Sequence, residues 1–172
     1  MAIPSNSLVL ITGVNGYIAS TIASQLLEAG YRVRGTVRDL QRCGWLEDFF
    51  SSKYGAGRFS LALIPDMAAD HAFDAAAVDC SGIVHVATIR DFSATDPRTT
   101  IPAEITAALN ILTAAAQQPS MKRVVFTSSA WAAHNPKAGV PYTLTEWTYN
   151  ESCHPGRLEL ATRADTHRPD HL

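Results

Sequence analysis

The sequence predicts an α/β fold: a parallel sheet with strand order 3-2-1-4-5 and helices on both faces. Three observations lead there. Short apolar runs alternate with segments of helical periodicity along the 172 residues. The first run, LVLIT, is almost wholly apolar, as a strand covered on both faces must be. A glycine-rich turn joins the first run to the first helix. Alternating strands and helices give a parallel sheet, and right-handed crossovers then set the strand order.

The elements follow in order. LVLIT (Leu8 to Thr12) reads as a buried strand bounded by glycine. Tyr17 to Ala29 carries Ile18, Ile22 and Leu26 at helical spacing, and Gly30 is a natural stop. RVRGTV (Arg32 to Val37) alternates as a strand. Leu40 to Tyr54 reads as a helix with Gly44 a weak spot, ended by Gly55 and Gly57. Phe59 to Ile64 is a third strand and Asp70 to Val78 a short helix. Gly82 to Ala87 is the fourth strand, Thr99 to Gln118 a long helix ended by Pro119, and RVVFTS the fifth strand.

Composition bounds the function. Apolar residues make up 47% and charged residues 17%, with a formal net charge of -2, which suits a globular domain and gives no sign of a nucleic-acid partner. MAIPSNS lacks the basic start of a signal peptide. IPAEITAALNILTAAA is interrupted by Glu104 and Asn110 and is too short to span a bilayer, so no membrane partner is expected. Cys43, Cys80 and Cys153 are odd in number and widely spaced. They read as reduced thiols of a cytoplasmic protein, filling space rather than reacting.

ITGVNGYIAS (Ile11 to Ser20) lies where the first strand meets the first helix. Gly13 permits a sharp turn, Gly16 a close approach of backbone to a pyrophosphate, and Ala19 close packing of helix on strand. The helix start then aims free amides and a positive dipole end at phosphate. A glycine-rich turn without a ligand would look the same in isolation; the strand before it and the helix after it favour phosphate binding.

The spacing Gly-x-x-Gly-x-x-Ala after ITG, together with YRVRGTVRD, IPDM, GIVHVAT and RVVFTSSAWAA, resembles the extended short-chain dehydrogenase/reductase family, also called the NAD-dependent epimerase/dehydratase family. The branch it resembles holds plant dihydroflavonol reductases and fungal ketone and aldehyde reductases. The resemblance runs from about residue 6 to 152. It implies a Rossmann-like NAD(P)-binding domain over residues 1–153 and NADP-linked reduction of a ketone or aldehyde. Thr12, Gly13, Asn15, Gly16, Tyr17 and Ile18 would surround the pyrophosphate. Arg38 stands where these reductases hold the 2′-phosphate of NADP, and Arg34 shares its side of the strand by period two. Arg38 also reads as a solvated residue opening a loop, and neighbouring Asp39 leaves NAD open as the cofactor. Asp66 would bond the adenine amine and Met67 cover the ring, although Asp66 equally suits a turn after Pro65. Val86, Ala87 and Thr88 would lie under the ribose and nicotinamide, with Thr127 and Ser128 closing the fifth strand. His85, inside the fourth strand, reads as core rather than catalytic, and Asn110 as a brace, a cap or a packing residue.

In the resembling reductases the second serine of Thr-Ser-Ser binds the substrate carbonyl, here Ser129. A tyrosine protonates the carbonyl, and a lysine four residues on lowers its pKa. This sequence has Glu146 four residues after Tyr142 and Cys153 four after Tyr149, and its last lysine is Lys137. The resemblance stops near Cys153. Residues 154–172 read as an unrelated irregular tail, or a short helix from Arg157 to Ala164. His154, His167 and His171 lie there with Pro169 between the last two, and no metal is expected. The chain therefore reads as a C-terminally truncated member without a substrate lobe, inactive by itself. The alternative is a non-catalytic dinucleotide-binding or partner-binding module. Loss of the covering helix should expose apolar surface near the fourth and fifth strands.

Overall fold

Five short strands pair in parallel: β1 (Leu8–Ile11), β2 (Arg32–Val37), β3 (Phe59–Leu63), β4 (Cys80–His85) and β5 (Arg123–Phe126). Their order is β3-β2-β1-β4-β5, as predicted. The structure, a computed structural model, describes residues 3–89 and 97–150. The chain divides into two compact units, Met1–Thr127 and Ser128–Leu172, and the whole sheet belongs to the first.

Helices join the strands: α1 (Tyr17–Glu28), α2 (Leu40–Cys43), α3 (Trp45–Tyr54), α4 (Asp74–Ala77) and α5 (Pro97–Ala116). Period-two alternation sends side chains to two cores. Ile11, Val33 and Val37 pack under α1 and α3 with Ala19, Ala23, Leu46 and Phe50. Leu8, Leu10 and Ile83 pack under α4 and α5 with Phe73, Ile111 and Ala114. Gly35 is required by close approach: a Cβ there would lie 2.3 Å from Val14 Cγ1 in the first core. Ile11 stands beside Gly35 on one side and Val84 on the other. The C-terminal ends of the central strands thus lie level, at the point where the strand order reverses.

Several boundaries differ from expectation, each for a physical reason. The fourth strand ends at His85 rather than Ala87, because the Val86 and Ala87 amides both donate to Thr12 Oγ1, at 2.9 Å each, instead of to a strand. The helix expected from Asp70 is reduced to α4. His71 lies in the left-handed region at φ 61°, which no α-helix can pass through, and its Nδ1 meets Asp74 Oδ2 at 2.8 Å. Gly44 divides the helix expected over 40–54 while keeping helical dihedrals (φ -56°, ψ -31°).

Surface near the last two strands is apolar. Val125 and Phe126 of β5 and Ile105 and Leu109 of α5 are exposed, whereas Ala107 and Ile111 of the same helix are buried. Among the described residues no helix is long and apolar enough to cross a membrane.

The second unit, over its described residues, is built around one short helix, α6 (Ala130–Ala133). Ser129 caps it, and Asn150 fastens it by donating to Trp131 O (2.7 Å) and Ala132 O (2.9 Å). The expected helix over 157–164, Cys153 and the three tail histidines lie outside the described residues.

Candidate functional site

A cleft of about 350 Å³ opens at the C-terminal ends of the strands in the first unit. Each of β1 to β4 sends its following loop to the wall. Gly13 comes from the first loop, Arg38 from the second, Asp66 from the third and Ala87 from the fourth. This is the crevice that a switch in strand order creates.

The first loop owes its shape to Gly13. Its φ of 66° suits glycine, and a Cβ would stand 3.0 Å from Ala87 Cβ. Its N–H donates to Thr36 Oγ1 at 3.1 Å. Gly16 then opens α1 with no side-chain cap, and no acid occupies the first turn. The first amides of an α-helix have no acceptor within it, so this end is electropositive and lacks a built-in partner.

Asn15, Gly16, Met67 and Thr88 line the cleft as well. Thr12 and Val86 do not; Thr12 is wholly buried behind it, bonded to β4. Tyr17 and Ile18 start α1 and point largely outward, 90% and 53% exposed. Their side chains do not line the cleft.

Arg34 is a correction. Its Nη1 donates to Ala76 O (2.8 Å) and Val78 O (2.9 Å), closing the end of α4, and it takes no part in the cleft. Sharing a strand face with Arg38 was insufficient, because four residues of strand span roughly 13 Å. Arg38 lines the cleft, and among the described residues nothing engages its guanidinium. Asp39 turns the other way: its Oδ1 caps α2, accepting from Gln41 N (2.9 Å) and Arg42 N (3.1 Å).

Asp66 both lines the cleft and holds its own turn, Oδ1 accepting from Ala68 N at 2.8 Å. A carboxylate retains room for a further donor on its second oxygen. Asn110 on α5 secures this loop, donating from Nδ2 to Met67 O (3.0 Å) and Ala69 O (2.8 Å). The Thr88 hydroxyl donates to Glu104 of the same helix. Sequence reasoning missed Thr36, Val37, Ile64, Pro65 and Ile89 as further lining. Most of them adjoin predicted residues, and strand-end position was the available signal.

Thr127 extends β5 by donating its N–H to His85 O at 2.9 Å. Ser128 and Ser129 belong to the second unit. There the Ser129 hydroxyl accepts from Trp131 N at 3.3 Å. Burial pushes the Cys80 thiol up to about 11, so it stays protonated and unreactive at neutral pH. Among the described residues no three His, Cys, Asp or Glu side chains gather as a metal site.

The comparisons with known proteins bear on this cleft. Residues 9–157 match the model of the NAD dependent epimerase/dehydratase family. The chain belongs to that family. It is 41% identical over 170 residues to the ketoreductase adrE of Penicillium rubens, covering 97% of this chain and 48% of that one. With aldehyde reductase 2 of Sporidiobolus salmonicolor it shares 43% over 138 residues, 80% of this chain and 40% of the relative. Yeast methylglyoxal/isovaleraldehyde reductase Gre2, solved with NADPH, superposes with a TM-score of 0.71 at 27% identity, covering 88% of this chain and 45% of that one. The chain thus spans about half the length of the curated relatives it matches.

Asn110 carries a prediction. Replacing it by Ala leaves two loop carbonyls without their donor and should cost about 1–2 kcal/mol. Urea unfolding reads the loss, and amide exchange at Ala68 should quicken with it. An unchanged Ala68 exchange rate would remove the bracing role.

Proposed function

We propose that residues 1–153 form an NADP(H)-binding domain, with residues 154–172 an unrelated tail. One observation carries the choice of cofactor: Arg38 lines the same cleft as the uncapped start of α1, while Asp39 is engaged as the cap of α2. An acid that held ribose hydroxyls would need its carboxylate in the cleft. A guanidinium there suits the 2′-phosphate, with a planar set of donors matching phosphate oxygens. The pyrophosphate fits at Gly13, Asn15 and Gly16, where amides and dipole are directed at it. Asp66 and Met67 would hold the adenine, and Ala87 and Thr88 would line the nicotinamide end; all four line the cleft. Thr12 and Val86 act from behind, and Thr127 and Ser128 follow the last strand. Two buried free thiols, Cys43 and Cys80, accord with a cytoplasmic setting.

Bound NADPH would supply hydride, and the relatives' names point to a ketone or aldehyde as its acceptor. Ser129 is our candidate for orienting that carbonyl. It is not a general acid at neutral pH, and the sequence offers no Tyr-x-x-x-Lys to provide one. Loss of a positioned general acid typically costs ~10²–10⁴ in rate. The reading is therefore of a chain that binds the dinucleotide and, by itself, does not turn over. The same lack of the pair favours a second reading, a non-catalytic dinucleotide-binding or partner-binding module.

Three outcomes test this. Gly16→Val places a branched side chain in the phosphate cradle. Its Cβ would meet only Gly13 O, at 3.2 Å, so the sheet should survive while NADPH binding, read by fluorescence titration, is lost. Unchanged affinity would remove the phosphate-loop reading. Arg38→Ala should weaken NADPH by about ten- to a hundredfold, the equivalent of roughly 1.5–3 kcal/mol for a charge-assisted bond, and leave NADH nearly unaltered. Equal losses for both cofactors would refute the 2′-phosphate assignment. Finally, the purified 172-residue chain should consume no NADPH above background with ketones or aldehydes. Turnover abolished by Ser129→Ala would show that another group has taken the tyrosine's role.

A further inference from the structure

His85 is buried, and it does not line the cleft. Its Nδ1 lies 3.0 Å from Thr12 Oγ1. That oxygen also accepts the N–H groups of Val86 and Ala87, each at 2.9 Å. A hydroxyl has two lone pairs and one hydrogen. Both lone pairs are occupied by amides, so the hydrogen must point to Nδ1. His85 is therefore an acceptor at Nδ1, a neutral imidazole with its proton on Nε2. Edge-on rings hold it in this orientation, Phe73 at 6.1 Å and Phe126 at 5.0 Å between centroids.

The residues joined by this network flank the cleft. Thr12 precedes Gly13, and Gly13 rests against Ala87. We propose that His85 is a positioning residue for the dinucleotide: by taking the Thr12 proton it turns both hydroxyl lone pairs onto the Val86 and Ala87 amides and so holds the Gly13 and Ala87 walls together. This rests on the dinucleotide reading of the cleft, but the hydrogen-bond network can be tested without a ligand.

The arrangement has a consequence in acid. An imidazolium would present Nδ1–H as a third donor to an oxygen with two lone pairs. One amide must then let go. The elements packed on the ring offer Thr12, Phe73 and Phe126, none of which titrates near neutrality. The charged group acting on it is Glu104 of α5. Burial holds the imidazole below its ordinary value of 6.5, and Glu104 works against that shift. The neutral form is thus favoured in the fold. The latch is intact above about pH 6.5 and opens as pH falls from there through the lowered value.

The test uses the whole chain, labelled with ¹⁵N, and ADP-ribose as the probe, because it lacks a 2′-phosphate that would itself titrate in mild acid. At neutral pH the ring nitrogen shifts of His85 should show the Nε2–H tautomer, and Val86 and Ala87 amides should exchange slowly. On acidification at least one of these amides should lose protection, measured against the intrinsic exchange rate at the same pH, and ADP-ribose should bind more weakly. His85→Leu should bind ADP-ribose roughly three- to tenfold more weakly at neutral pH, the worth of one net hydrogen bond. His85→Asn, whose Oδ1 can stand in for Nδ1, should recover most of that loss and flatten the pH profile. An Nδ1–H tautomer, or an acid profile in His85→Asn equal to that of the wild type, would overturn the proposal. Should His85→Leu not fold, the asparagine variant and the tautomer still decide. Wild-type protein that binds neither ADP-ribose nor NADPH at any pH would sink the dinucleotide reading, leaving the latch to be judged on tautomer and exchange alone.

Discussion

The first unit depends on how two neighbouring parallel strands part. β1 and β4 run side by side, and at their ends the chain leaves for opposite faces of the sheet. Each strand then loses the partner that its last amides would have used. A buried N–H without an acceptor costs about 1–3 kcal/mol. Thr12 meets this cost for β4 with a side chain: its one hydroxyl accepts two successive amides where the ladder stops. β-branching limits the rotamers of that side chain, which keeps the oxygen on the β4 side. Strand end, glycine turn and cleft floor are consequences of the same contact.

Similar side chains acquire different work from their height on the sheet. Arg34 and Arg38 share a strand direction, yet the lower one ties down carbonyls at the end of α4 and the upper one lines the cleft. Asp39 and Asp66 both follow a strand and both accept an amide two residues on. Only Asp66 does so from the cleft wall. Local capping and ligand contact are therefore compatible in one carboxylate, and the alternatives posed for Asp66 are not exclusive. The Thr88 hydroxyl and the loop held by Asn110 show α5 serving the cleft from below, with Glu104 and Asn110 six residues apart on the helix.

What the sequence made legible follows from range. Strands buried on both faces appear as apolar runs, and the order of five strands follows from chirality and alternation, so the architecture could be read directly. Gly13, Arg38, Asp66 and Ala87 could be located because each follows a strand. The missed features depend on bonds between distant residues. Nothing near Val86 announces that its amide belongs to Thr12, 74 positions earlier. Nothing near Arg34 announces carbonyls 42 and 44 positions later. The left-handed backbone at His71 was similarly hidden, since the local composition favoured a helix.

The cleft and Ser129 draw their atoms from different units of the chain. Every residue lining the cleft lies between Gly13 and Ile89, within one unit and on the ends of four strands. Such a site needs only the sheet to form. Proton delivery needs more: a group with a suitable pKa, held against the substrate by its own scaffold. Ser129 provides a hydroxyl at the head of a four-residue helix, and its oxygen already accepts the Trp131 amide. That hydroxyl keeps a hydrogen of its own to donate. Exposed Leu109 and Phe126 mark apolar surface on α5 and β5 that the described residues leave in solvent. The chain spans about half the length of these relatives, and the strand-end cleft is lined by residues within 13–89 of it.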